Sequence, residues 1–261
     1  MSTILDKILA DKFIEVAQRK QSVSISELEN STDFIRTSLS MKQSLLSSPT
    51  GIISEFKRKS PSKGWIHEHA RVEEITSGYC AAGAAGISIL TDFPYFGGTT
   101  RDIIIARPHI TCPVLRKDFV IDEYQLYEAK AMGADVILLI AAALSPEKTL
   151  EFAKQAHDLG LEVLLEVHNQ TELSHANQYV DMMGVNNRNL KTFDVDINIS
   201  FELCGMIPDD FVKVSESGIS TVEAVLKLRA AGYRGFLMGE NFMKEPNPAE
   251  ALSGFISKLI V

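Results

Sequence analysis

A chain of 261 residues with 45% apolar side chains has the size of one full α/β barrel or of two small domains, and can build a complete core. Its net charge of −8, with no long basic stripe, speaks against general nucleic-acid binding; an anionic small molecule would need a local basic cluster. Three cysteines, Cys80, Cys112 and Cys204, stand too far apart for a zinc knuckle or a disulfide framework and predict reduced, mostly buried thiols. The N-terminus MSTILDKILADKF mixes Asp and Lys into its apolar residues, unlike a signal peptide. The longest apolar run, Val136–Leu144, is too short to span a bilayer as a helix. These features predict a cytoplasmic protein that binds neither membrane nor nucleic acid.

Residues 2–48 come first and read as helical. Ile4, Ile8, Leu9 and Phe13 recur at helical spacing, and Asp33–Leu46 looks like a second helix. No strand pattern falls here, so residues 1–48 form a helical extension packed on the main body. From Gly51 a rhythm begins. Strand-like runs are Ile52–Phe56, Gly86–Leu90, Val114–Leu115, Val136–Ala142, Val163–Val167, Met182–Val185, Phe211–Val214 and Phe236–Met238. Between them lie amphipathic stretches: His69–Ala82, Asp122–Met132, Pro146–Leu159, Thr171–Gln178, Thr221–Ala231 and Pro248–Leu259, with Thr99–Ala106 and Asp196–Cys204 as weaker helices. Strands alternating with helices imply parallel pairing, because each crossover needs a helix. Eight such units predict one (β/α)₈ TIM barrel over residues 1–261, extension included. A doubly wound open sheet is the alternative, but no GxGxxG follows the first strand.

Barrel active sites lie at the C-terminal ends of the strands. The first strand opens into GIISEFKRKSPSKG, where Glu55 and Lys57 share a strand face and Arg58, Lys59 and Lys63 follow. A solvated ion pair on a surface loop is the bland reading of that stretch; an anion-binding strand end is the sharper one. Further ends carry Thr91-Asp92, Arg116-Lys117-Asp118, Glu166, Asn186-Asn187-Arg188, Ser215-Glu216-Ser217-Gly218 and Gly239-Glu240. One polar end would mean little; a ring of them, with both charge signs, suggests a catalytic bowl. Ser217-Gly218 and Gly239-Glu240 are short turns running into helices, where barrels often bind phosphate through backbone N–H groups. Glu240 should then turn its carboxylate away. Glu166 and His168 share a face, and His67-Glu68-His69 forms a cluster, but neither offers a full ligand set, so no metal is expected. Trp65 and Tyr95-Phe96 either cap the bowl or pack loops. No GxSxG elbow is present.

IISEFKRKSPSKG closely resembles the signature of the indole-3-glycerol phosphate synthases, and LTDFPYFGGT, VLRKDFVIDEYQ, LLEVHN, GVNNRNLKTF, SESGI and LMGENFM agree in order and spacing. ILDKILADKFIEVAQRK also looks like that family's extension. Tyr95 and Asn189 depart from the usual Phe and frequent Asp, leaving the catalytic set intact. The resemblance implies ring closure, decarboxylation and dehydration of 1-(2-carboxyphenylamino)-1-deoxyribulose 5-phosphate in tryptophan biosynthesis. It implies Lys117 as general acid, with Glu55 orienting it, and Glu166 as base. Lys57 and Arg188 would face the substrate carboxylate, Asn186 would fix its orientation, and Ser217, Gly218, Gly239 and Glu240 would hold the phosphate. No cofactor is implied. Burial and nearby cations should lower the Lys117 pKa. The rival readings are a phosphoribosylanthranilate isomerase-like barrel, against which Glu55 and Lys57 stand on the first strand in place of a Cys–Asp pair, and a non-catalytic phosphosugar-binding protein, which would not need both an acid and a base. The oligomeric state stays open, and a monomer would suffice.

Overall fold

The computed structural model describes residues 3–190, 192 and 194–260, so Lys191 and Phe193 of the GVNNRNLKTF block lie outside the described residues. Eight parallel strands close into a barrel. They are β1 Ile52–Phe56, β2 Gly86–Leu90, β3 Val114–Lys117, β4 Val136–Ile140, β5 Glu162–Val167, β6 Met182–Asn186, β7 Val212–Glu216 and β8 Gly235–Met238. Each pairs with its sequence neighbours, and β8 returns to β1 in the register Ile52↔Phe236. The strands read as unbroken apolar runs because both faces of a parallel sheet are buried. Alternation then sorts the side chains: Ile53, Leu115, Leu138, Leu164, Val214 and Leu237 fill the interior. Ile52, Ile87, Ile89, Ile137 and Leu165 pack outward under the helices.

Those helices are α4 Val72–Ala81, α5 Phe93–Phe96, α6 Thr100–Ala106, α7 Tyr124–Ala131, α8 Pro146–Asp158, α9 Asn198–Cys204, α10 Val222–Ala231, α11 Glu240–Met243 and α12 Pro248–Leu259. The expected helix Thr171–Gln178 is instead a 3-10 turn, Gln170–His175. Asn169 starts it by accepting from the Glu172 N–H, and buried His175 anchors it through Nδ1 to the Thr149 hydroxyl at 2.9 Å.

The extension forms α1 Ile4–Ser22, α2 Ile25–Glu29 and α3 Met41–Ser47. Two expectations need correction. The buried face of α1 is Leu5, Ile8, Lys12 and Val16, while Phe13 is 62% exposed. An apolar count overlooks Lys12 because its burial depends on acids elsewhere: Asp92 and Asp118, both at 2.9 Å, and Glu15 at 2.7 Å. The second helix starts only at Met41, because residues 31–40 run along the barrel wall. There Arg36 donates to Asp135 at 2.7 Å and to the Gly133 carbonyl at 2.9 Å.

Met41 and Leu45 of α3 are buried against the first residues of β2 and β8. A Cβ on Gly86 would come within 2.6 Å of Met41 Cε, and one on Gly235 within 3.1 Å of Leu45 Cδ1. The α3 helix therefore closes the N-terminal mouth of the barrel, while α1 lies at the opposite end. Glu162, first in β5, caps α3 by accepting from the N–H groups of Met41 at 2.8 Å and Lys42 at 3.0 Å. A carboxylate is favoured at that position because helix N-termini present unpaired N–H groups and positive potential.

The cysteine expectation also changes. Cys80, in α4, and Cys112, just before β3, are joined by a disulfide across 32 residues of sequence, with Cα atoms 6.1 Å apart. Packing of the α4 end against the start of β3 brings them together, which spacing alone did not reveal. Cys204 is free and buried. No helix of the described residues is long and apolar enough to cross a membrane.

Candidate active site

A cavity of about 510 Å³ opens at the C-terminal ends of the strands. Its wall contains Glu55, Lys57, Lys117, Glu166, Asn186, Arg188, Ser217, Gly218, Gly239 and Glu240, so every site residue read from the sequence meets in one place. Ile4, Leu5 and Ile8 of α1, with Phe96 and Phe119, give the cavity an apolar side. Trp65 stands outside that wall, 45% exposed, with Lys59 over its ring.

Lys117 occupies the centre, because in β3 it follows Leu115 on the inward face. Its ammonium lies 2.9 Å from Glu166 and 3.3 Å from Glu216. Glu216 stood in the sequence only as part of the polar end of the seventh strand, with no role assigned. The signal was available: Val212, Val214 and Glu216 alternate on one face of β7. Gly184 on β6 makes room for it, since a Cβ there would lie 2.3 Å from Glu216 Oε1.

These contacts reverse the expected shift of Lys117. Burial does lower its pKa, but Glu166, then Glu216 and Glu55, raise it further, and the net result lies above the ordinary lysine value. The neighbours of Lys117 are carboxylates, not cations. The two glutamates diverge. Burial raises Glu166, but Lys117 and His168 hold it well below the usual carboxylate range. Burial, helped by the repulsion from Glu166, pushes Glu216 up to about 7 despite Lys117. Two carboxylates on one ammonium are thus set to different protonation states near neutral pH.

Glu55 pairs with Lys57 at 3.0 Å. The basic loop that follows is largely neutralised. Arg58 turns outward into a bidentate pair with Asp102, both bonds 2.8 Å, and Lys59 donates to the Pro94 carbonyl. Lys63 pairs with Glu240. Glu240 therefore does not turn away as expected: its carboxylate stands at the cavity rim, held there by Lys63. Burial raises the Glu240 pKa, but Lys63, Lys57 and Arg188 bring it below its usual value. Asn186 accepts from the Arg188 N–H at 3.0 Å, which shapes the turn after β6.

The β7 turn is built on left-handed backbone: φ is 66° at Ser217 and 74° at Gly218. A non-glycine residue held there costs about 1–3 kcal/mol and is commonest at functional sites. Asn187 supports the turn by donating to the Ser217 carbonyl at 3.1 Å. Gly239 has a second role that sequence did not disclose, since a Cβ there would lie 2.6 Å from Glu55 Oε1. Among the described residues no three His, Cys, Asp or Glu side chains converge as metal ligands.

Comparison with known proteins agrees with this geometry. The family described as indole-3-glycerol phosphate synthase matches residues 5–255. The indole-3-glycerol phosphate synthase of Bacteroides thetaiotaomicron is 56% identical over 259 residues, covering 99% of this chain and 100% of that protein. That of Chromobacterium violaceum is 45% identical, covering 97% of each chain. Among solved structures, a tryptophan synthase complex from Pyrococcus furiosus aligns with a TM-score of 0.59 at 18% identity, covering 81% of this chain and 98% of that chain. The 3-hexulose-6-phosphate synthase of Salmonella typhimurium aligns at 0.60 with 12% identity, covering 80% and 99%. At those identities the two structures speak for the barrel fold alone. The sequence matches run nearly end to end, and on them the chain belongs to the indole-3-glycerol phosphate synthase family.

Proposed function

We propose that the bowl performs the family's lyase reaction with the following division of labour. The apolar side formed by α1 and Phe96 receives the aryl ring of 1-(2-carboxyphenylamino)-1-deoxyribulose 5-phosphate. Lys57 and Arg188 face its carboxylate, and Asn186 orients it by hydrogen bonding. The backbone of Ser217-Gly218 and Gly239-Glu240 takes the phosphate. As the ring carbon attacks the ketone carbon, Lys117 gives a proton to the ketone oxygen, leaving a hydroxyl. Loss of carbon dioxide restores the aromatic ring. The hydroxyl then leaves as water, taking a second proton from Lys117 once Glu216 has reprotonated it, while Glu166 accepts the proton released from the substrate. Glu216, in contact with Lys117 and ionising near neutrality, can return a proton to it. The observation that carries this reading is the buried Lys117 ammonium touching both Glu166 and Glu216 at 2.9 and 3.3 Å. A simple phosphosugar-binding site has no need of such a pair. Adding the substrate to the EDTA-treated protein is expected to generate indole fluorescence at the full rate. Substrate binding without any fluorescence would leave a binding protein, and activity restored only by zinc would overturn the cofactor-free reading.

The phosphate assignment has its own test. Gly239 is a poor position for it, because a side chain there would strike Glu55. Gly218 avoids Glu55: an added Cβ would meet Val195 Cγ1 at 2.5 Å, and at φ 74° a side chain strains the turn itself. Hydrogen bonds to charged groups contribute about 1.5–3 kcal/mol each, so Gly218→Val is expected to weaken substrate binding about ten- to a hundredfold. Inhibition by inorganic phosphate should weaken in parallel. Unchanged phosphate inhibition in the folded variant would put the anion elsewhere.

A further inference from the structure

Glu166 has a second cationic neighbour besides Lys117. Its Oε2 meets Lys117 at 2.9 Å, while its Oε1 lies 3.3 Å from Nε2 of His168. The other nitrogen of His168, Nδ1, lies 3.1 Å from Glu172 Oε2. Glu172 is fixed in turn, accepting from the His168 backbone N–H and from Asn169 Nδ2, both at 2.7 Å. The His168 side chain is only 11% exposed. Lys117, Glu166, His168 and Glu172 thus form a row of alternating charge that leads from the cavity into the turn after β5.

We propose that His168, clamped by Glu172, is a positioning residue: it sets the plane of the Glu166 carboxylate opposite Lys117 and keeps a positive charge against it. The inference rests on the reading of Glu166 as the base. Nothing in the family's chemistry requires an imidazole there, but the geometry gives it a purpose. When Lys117 turns to the ketone oxygen, Glu166 loses part of one partner, and the imidazole of His168 still stands 3.3 Å from the other oxygen. Burial works against a charged imidazole, but Glu166 and Glu172 outweigh it and raise His168 to about 10. It therefore stays an imidazolium through the neutral range.

The titratable groups around Glu166 are Lys117 from β3, Glu216 from β7 and His168 from the turn after β5; those around His168 are Glu166 and Glu172. In His168→Gln the imidazolium is lost, the Glu166 pKa rises, and less of it is ionised at a given pH. The acid limb of the kcat profile is expected to move up by about one pH unit, the usual size of one neighbouring charge. A limb set by Glu216 would move little, because Glu166 is still ionised where Glu216 titrates and His168 contacts Glu166, not Glu216. A carboxylate no longer held in place should lower kcat about tenfold or more, with KM within about twofold. In the native protein, nitrogen NMR should find both ring nitrogens of His168 protonated up to about pH 8. Glu172→Gln should bring its titration down.

Glu166→Gln serves as the reference. If that change is silent, the base assignment itself fails. If it abolishes turnover while His168→Gln leaves kcat and the acid limb unchanged, only the role of His168 is overturned. An imidazole titrating near its ordinary value in the native protein would overturn it too.

Discussion

Replacing Lys117 with alanine is expected to lower the single-turnover rate by about 10²- to 10⁴-fold, the usual contribution of a positioned proton donor, while substrate still binds. The site explains both halves. Lys117 stands at the barrel axis with its side chain 14% exposed, and its contacts are to Glu166 and Glu216. Its raised pKa keeps it protonated, as a donor must be before the reaction starts. On the proposed division of labour, substrate affinity comes mainly from the rim, where Lys57, Arg188 and the β7 turn lie. Lys57→Ala should therefore raise KM clearly and reduce kcat less, since it removes attraction present before and during the chemical step. Direct binding measurements beside single-turnover rates separate the two, because slow product release masks chemistry in kcat. If Lys117→Ala kept near-normal single-turnover chemistry while Lys57→Ala lost it, the donor would be Lys57.

The second large effect is at the other end of the barrel and concerns stability. Leu45→Ala or Met41→Ala should each cost about 2–5 kcal/mol, the range for emptying a fully buried aliphatic position. Both side chains are buried to 1% or less, and α3 is held to β5 through Glu162 rather than through the cavity. The cavity lies at the opposite mouth, so kcat and KM of the folded variants should be unchanged. Chemical denaturation, with activity measured on the same preparations, decides the matter. A loss of activity without a loss of stability would mean that α3 acts on the bowl. By the same logic, removing residues 3–23 should impair stability as well as substrate binding, because loss of Lys12 leaves Asp92 and Asp118 buried and unpaired. Of the extension, only α1 lines the cavity, through Ile4, Leu5 and Ile8.

Most of the barrel was legible because parallel strands announce themselves: buried on both faces, they leave apolar runs that few other elements produce. β1, β2 and α12 match their expected limits, and the other strands differ by a few residues at their ends. The ring of strand-end residues followed from one topological rule. What sequence did not disclose depends on neighbours distant in the chain. Lys12 looks like a solvent-facing residue until Asp92 and Asp118 are brought to it. Lys117 was expected among cations, yet Arg58 and Lys63 are taken up by Asp102 and Glu240, and carboxylates surround it instead. Glu216 was visible in the alternation of β7 but was obscured by the glycine turn beside it. The Cys80–Cys112 bond could not be inferred from spacing, because it depends on how α4 ends against β3.

The cap on α3 also bears on the order in which the chain assembles. Ser40, Met41 and Lys42 bond to Glu162 across 120–122 positions, and Arg36 reaches Asp135 across 99. Closing loops of that length carries an entropic cost that local contacts must meet first, and such long-range pairings form slowly. The extension leaves the ribosome before any strand, yet its docking surfaces exist only once β2, β5 and β8 have come together. A segment made before any strand is thus among the last to find its place, and the N-terminal mouth of the barrel stays open until β8 is made.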